Sequence, residues 1–395
     1  IQVDKPLPVP TFVKNIQLCS KYTVTGGSNT FTAIVEPLAG EILQYSWSAS
    51  VGVLSQASGS SVTWQAPANP VVGAITVKVT NQDKLSTDLS IGALVKDTTL
   101  AIQTPLIWYP FDGDTRNAVS DRFHATAIGV SKTEDARGMP SLAYKFTSGQ
   151  NIIYTDNQTE LNFGGAVSLS CWVKCEALGS ERFIISHGSW QERYKLSITP
   201  EGRVRWTLKT NNGVSDLDGS APIELNRYYH VTALYTGYSM ELYMDGILDT
   251  FKSFSGTIQP STKPFTIGRI DNVATQYALL GSVNEVKLWD KEIPVSQVAQ
   301  LKNQWSTPAG IDEIELFSRV YPNPAHDLIY IDLNGIIRAK QVSLYAPDGR
   351  KVSDCQVNSQ DSRIEIKIPK PMAGMYFLRI ILNDGKVISR KIIIN

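Results

Sequence analysis

The chain has 395 residues, and lysine plus arginine balances aspartate plus glutamate at 37 each, so the formal net charge is zero. No global field therefore favours nucleic acid or an anionic membrane. The apolar fraction of 42% lies in short runs, and none approaches the unbroken stretch of about 20 residues that spans a bilayer. The length suits two to three domains.

The first segment, residues 1–97, alternates from about Phe12 to Val95. Phe31, Ala33 and Val35 oppose Thr30, Thr32 and Ile34, and Tyr45-Ser46-Trp47, Val62-Thr63-Trp64-Gln65-Ala66-Pro67 and Ile75-Thr76-Val77-Lys78-Val79 follow. Short alternating runs separated by Gly, Ser, Asn and Pro predict a β-sandwich. The Tyr-x-Trp and Trp-x-Ala-Pro pair, followed by the Ile-x-Val-x-Val strand, resembles the bacterial polycystic-kidney-type immunoglobulin-like modules, which implies a spacer. Trp47 and Trp64 are expected in the core rather than on a sugar platform. The polar stretch Val95–Pro105 lacks a period and reads as a first linker.

Residues 106–305 are the right size for one large jelly roll. In order come Trp108-Tyr109-Pro110-Phe111-Asp112-Gly113-Asp114, Ala143-Tyr144-Lys145-Phe146, Val167-Ser168-Leu169-Ser170-Cys171-Trp172-Val173-Lys174, Tyr229-His230-Val231, Glu241-Leu242-Tyr243-Met244-Asp245-Gly246 and Ser282-Val283-Asn284-Glu285-Val286-Lys287-Leu288-Trp289. Together these resemble the laminin-G-like branch of the concanavalin A-like lectin and glucanase superfamily. One short helix is predicted over residues 294–305, with Ser296 as its cap.

That resemblance covers both binding and catalysis, so the residues must choose. A glycosidase needs two carboxyl groups facing across the scissile bond. The Glu-x-Asp-x-x-Glu strand of β-glucan-cleaving relatives does not occur between Leu106 and Leu301, and the acidic cluster Asp312–Glu315 falls in a second linker. The histidines His124, His187, His230 and His326 have no metal-ligand spacing, and no Gly-x-Ser-x-Gly elbow is present.

The unusual stretch is Ser186 to Lys195, followed by Arg203 to Thr210. Alternation puts Tyr194, Leu196, Val204, Trp206 and Leu208 toward the core and Arg193, Lys195, Ser197, Arg205, Thr207 and Lys209 on the opposite face. With Trp190 in the adjoining loop and His187 and Asp216-Leu217-Asp218 as rim residues, that face predicts a glycan site. Trp190 would stack on a sugar ring, and Arg193, Lys195 and Lys209 would suit an acidic or sulfated glycan. No cofactor is required by this reading. The resemblance brings calcium into view, with Asp112, Asp114 and Asn284 as ligands, but Asn117 and Asn284 stand where relatives often carry aspartates, which lowers the charge of any such site.

The last segment, residues 317–395, contains Tyr321-Pro322-Asn323-Pro324, alternating residues 328–333 and 342–345, an Asp348-Gly349 turn, Gly374-Met375-Tyr376 and the tail Lys391-Ile392-Ile393-Ile394-Asn395. These predict a small β-sandwich with tight hairpins. As an ordered set they resemble the carboxy-terminal sorting domain of Bacteroidetes proteins exported by type IX secretion, which implies contact with export machinery and a secreted or outer-surface location. Ile1 at the start, with no signal-like apolar core after it, fits a mature or trimmed chain whose export signal has been removed. Cys171 and Cys175, about 13 Å apart along one predicted strand, cannot bridge, and Cys19 and Cys355 fall in different predicted domains, so four mostly buried thiols are expected.

The whole chain thus reads as an all-β protein of three consecutive β-sandwiches. The expected function is non-catalytic carbohydrate binding at the cell surface. The alternatives are a protein-binding adhesive module and a glycan hydrolase with an unrecognised acid pair.

Overall fold

The computed structural model describes residues 12–37, 40–188, 192–270, 275–304, 317–321, 324–333, 339–346, 350–356, 363–368, 373–382 and 387–394. The chain is all-β, and its α-helix among these residues is Val295–Leu301. Pro294 begins that helix without any side-chain cap, so the expected Ser296 cap is not used. Proline already supplies the fixed φ that helix entry needs and lacks an N–H that would go unsatisfied. No helix among the described residues is long and apolar enough to cross a membrane.

Two compact units divide the chain, residues 1–306 and 307–395. The first contains two sandwiches. In the amino-terminal one, a sheet ordered Phe12–Leu18, Ser28–Glu36, Ser61–Gln65, Val53–Leu54 faces a sheet ordered Tyr22–Val24, Ser86–Lys96, Val71–Asn81, Leu43–Ala49. The period-two alternation delivers Phe31, Val62, Ile75, Val77 and Val79 to the space between them. Trp47 and Trp64 are buried there as expected, and each indole N–H is satisfied by a backbone carbonyl, of Gly59 and Val51.

The central sandwich packs a seven-stranded sheet against an eight-stranded one. The seven run Thr126–Ile128, Ile152–Thr155, Phe265–Ile267, Arg182–His187, Tyr194–Ile198, Arg203–Thr210, Gly213–Pro222. The other sheet has Gly281–Trp289 and Val167–Cys175 at its centre, then Tyr228–Tyr235, Ser239–Met244 and Ile247–Ser253 toward one edge. Leu169, Cys171 and Val173 meet Leu196, Val204, Trp206 and Leu208 in one continuous apolar core. Burial in that core pushes the Cys171 thiol up to about 12, so it packs as a small hydrophobe. Cys171, Cys175 and Cys19 are free thiols, the last exposed.

The two sandwiches of the first unit share a third cluster. Leu94 of the amino-terminal module packs with Leu234, Tyr243, Leu248, Trp289, Ile293, Val298 and Leu301 of the central one. Beside it the Lys96 ammonium, fully buried, lies 2.9 Å from Glu241 and 2.5 Å from Glu292. Burial opposes that charge, but the two carboxylates outweigh it and hold the lysine above its ordinary range. Val95 and Lys96 were expected to open a linker, yet they end a strand whose last four residues are buried. A lysine in a polar stretch looks like solvent-exposed sequence unless its distant carboxylates are known.

In the carboxy-terminal unit, a sheet of Phe317–Tyr321, Leu328–Leu333 and Arg363–Lys367 faces one ordered Lys351–Gln356, Ala339–Tyr345, Gly374–Leu382, Val387–Ile394. Ile329, Ile331, Val342, Leu344, Leu378, Ile380, Ile392 and Ile394 fill its core. The Asp348-Gly349 turn and Asn323 lie outside the described residues.

Candidate functional site

The seven-stranded sheet turns one face to the core and leaves the other open. Cross-strand register fixes what stands on that open face. Ser186, Lys195, Thr207 and Asp216 are paired in one row across four strands, and Phe183, Ser197, Arg205 and Asp218 form the next. An extra residue, Ile184, interrupts the ladder between Phe183 and Ile185, and such a bulge lets the Arg182–His187 strand keep an apolar ring on the open face.

A groove of about 450 Å³ lies over these rows, lined by Glu181, Phe183, Lys195, Arg205, Thr207, Val214, Asp216, Ile270 and Tyr277. One wall is aromatic: Tyr277, 36% exposed, meets Phe183 edge-on at 5.6 Å. Across the floor the charged groups are paired. Lys195 Nζ donates to Glu181 at 2.5 Å and lies 4.7 Å over the Phe183 ring, and Ser197 donates to the same carboxylate at 2.6 Å. Arg205 grips Asp218 with two bonds, of 2.6 and 2.7 Å, and stands 3.8 Å from Asp216. Thr207 donates to Asp216. The hydrogen bonds and charge of Arg205 hold the Asp218 carboxyl below the usual range, and Asp218 in turn raises the guanidinium.

The expected site residues fall in different places. Lys195 lines the groove, with Arg205, Thr207 and Asp216 from the same sequence argument. Trp190 lies outside the described residues. Arg193 is not a ligand fork: it is 1% exposed, and its guanidinium donates to the carbonyls of Gln259, Leu161 and Phe163 at 2.8 to 2.9 Å, between the Phe163 and Tyr194 rings. It stitches two loops onto the strand end. Alternation expected it on the face opposite the core, whereas loop carbonyls and the Phe163 and Tyr194 rings enclose it.

His187 is also buried, with Nε2 2.9 Å from Asn157 Oδ1, and burial reinforced by Arg193 pulls its pKa down to about 3. It pairs in register with Tyr194, on the core side rather than the rim. Lys209 is half-buried and is not part of the groove lining.

Glu181, Phe183, Tyr277, Val214 and Ile270 were not anticipated. Glu181 precedes its strand, and Tyr277 sits in the short turn Thr275–Tyr277, far along the chain. No periodic pattern marks either position.

Calcium was expected at Asp112, Asp114 and Asn284. Asp114 Oδ1 accepts the Arg116 N–H at 2.8 Å, as an ordinary turn acceptor. Asn117 uses both ends of its amide, accepting from Trp108 and Val119 and donating to Leu106, Ser120 and Arg122. Asn284 is buried on the outer face of the eight-stranded sheet, opposite Trp172. Calcium takes roughly six to eight oxygens, and among the described residues no group of three His, Cys, Asp or Glu side chains is placed to hold a metal.

Residues 147–299 match the family model of the concanavalin A-like lectin/glucanases superfamily, laminin G type. The central sandwich is a concanavalin A-like domain. Residues 319–395 match the secretion system C-terminal sorting domain. The protein is therefore one exported by type IX secretion, to the cell surface or beyond it. No curated protein matches the chain.

Among solved structures, domain 4 of an extracellular arabinanase from Geobacillus stearothermophilus, in complex with arabinotriose, is 17% identical with a TM-score of 0.42, over 51% of this chain and all of that one, 100%. The binding domain of Paraclostridial Mosquitocidal Protein 1 is 14% identical, TM-score 0.41, over 68% of this chain and 72% of that one. A botulinum neurotoxin type C structure, whose cell entry depends on two ganglioside molecules, is 13% identical, TM-score 0.42, over 72% of each chain.

Proposed function

We propose that the central domain binds a carbohydrate, without cleaving it, in the groove between Tyr277 and Asp216. The observation that carries this reading is the combination of one half-exposed aromatic ring with a floor of fixed donors and acceptors. A sugar presents an apolar face and a rim of hydroxyls, so a ring to stack on and pre-oriented polar groups suit it. Membership of residues 147–299 in a superfamily of lectins and glucanases agrees with this.

The finer expectation was an acidic or sulfated ligand. It relied on unpaired cations, and here Lys195 and Arg205 are met by Glu181, Asp216 and Asp218. An anionic sugar would have to displace these carboxylates or sit against them, and like charges at close range are costly. A neutral, hydroxyl-rich glycan needs neither. The lone pairs left on Glu181 and Asp216 can accept its hydroxyls.

Non-catalytic binding is favoured by the same contacts. Hydrolysis needs one carboxyl group held protonated as the acid. Glu181 accepts hydrogen bonds from Lys195 and Ser197, and Asp216 accepts one from Thr207, so both carboxyl groups are already engaged within the groove floor. Screening the full chain against neutral and anionic glycans, with reducing ends assayed in parallel, tests the reading. Binding to neutral members without release of reducing ends is expected; binding confined to sulfated or uronic members, or turnover, would overturn it.

A further inference from the structure

The amino-terminal sandwich is attached to the central one at the strand Ile247–Ser253. Gly92 allows the approach, because a Cβ there would lie 3.0 Å from the Phe251 ring. Leu94 packs on Leu248, and Lys21 Nζ donates to the Leu248 carbonyl at 2.9 Å. The buried Lys96–Glu241 pair anchors the neighbouring strand Ser239–Met244. The pair excludes slippage because moving Lys96 would leave the Glu241 carboxylate buried without its cation.

The same edge strand reaches the groove. Asp249 accepts the backbone N–H of Ser220 at 2.8 Å, and Lys252 Nζ donates to the Asp216 carbonyl at 2.9 Å. Ser220 and Asp216 belong to Gly213–Pro222, the outermost strand of the groove sheet and the one that carries its acidic wall. An outermost strand has a ladder partner on one side only, so its local opening depends on whatever holds the other.

We propose that the amino-terminal module is a clamp rather than a spacer: by fixing Ile247–Ser253 it positions Gly213–Pro222, and so the Asp216 side of the groove. Its effect on ligand affinity rests on the groove being the binding site; its effect on strand order does not. The test is hydrogen exchange of the full chain carrying Gly92→Leu, which wedges the junction at Phe251. Amides of Gly213–Pro222 are expected to exchange about tenfold faster, while Thr126–Ile128 and Ile152–Thr155, at the far edge of the same sheet, keep the wild-type rate. If Gly92→Leu does not fold, Lys21→Ala, which removes the Nζ hydrogen bonds to the Leu248 and Asp249 carbonyls, carries the same comparison with a smaller change in the same direction. Unchanged exchange in Gly213–Pro222 with a loosened junction overturns the clamp. So does uniform acceleration of all seven strands, which would mean general destabilisation. Affinity loss in either variant without faster exchange in Gly213–Pro222 also counts against it.

Discussion

Lys195 and Glu181 meet at 2.5 Å on the floor of the groove, with the Lys195 side chain almost wholly covered. That pairing decides the sign of the site. A cation presented to solvent recruits anions, whereas one closed by a carboxylate orients hydroxyls. Removing the carboxylate should therefore change selectivity. Glu181→Gln is expected to weaken neutral glycan binding and to create affinity for a uronic or sulfated analogue, at a stability loss of about 1–3 kcal/mol. Paired titrations with the two ligand types, alongside denaturant unfolding, check it; an unchanged preference would show that the pair does not govern selectivity.

Arg193 should behave as a structural residue. Arg193→Ala leaves the carbonyls of Leu161, Phe163 and Gln259 without their donor, and the expected cost is about 3 kcal/mol or more. Thermal unfolding should fall by several degrees. A variant of wild-type stability with selectively lost glycan affinity would return Arg193 to the binding site.

Acid should weaken the central domain through two histidines. Burial, with Arg193 beside His187 and Lys287 beside His230, pulls both down to about 3. The unfolded chain binds these protons near the ordinary pH of 6.5, the folded one only near 3. Stability is thus complete above pH 6.5 and is lost progressively as pH falls toward 3. Unfolding midpoints measured across that window should decline, and His187→Asn should flatten the decline. A pH-independent midpoint contradicts the assignment.

Deleting residues 317–395 should leave the first unit folded, because its cores contain none of the deleted residues. The truncated protein should unfold like its parent but fail to reach the surface of a type IX-secreting host. Normal delivery would show that the sorting domain is dispensable.

Period-two alternation was enough to read the sandwiches, because most core strands obey it: Val204, Trp206 and Leu208 lie inside as expected. It also put Lys195, Arg205 and Thr207 on the open face. What it could not give was the partner of each charge. Glu181 and Asp218 reach Lys195 and Arg205 only once neighbouring strands are in register, and the loop carbonyls around Arg193 come from residues 161, 163 and 259, which no local pattern links to residue 193. Lys96 was misread for the same reason, since its carboxylates lie 145 and 196 positions away.

The central claim is that the groove binds a neutral sugar between the Tyr277 ring and the Asp216 carboxylate. Isothermal titration of a neutral oligosaccharide identified by the screen, into the full chain and into Tyr277→Ala and Asp216→Asn, tests it most directly. Both side chains are substantially exposed, Tyr277 at 36% and Asp216 at 46%, so each variant should stay folded with a nearly unchanged unfolding midpoint while affinity drops about tenfold. Wild-type affinity in both variants would place the ligand on another surface and contradict the account.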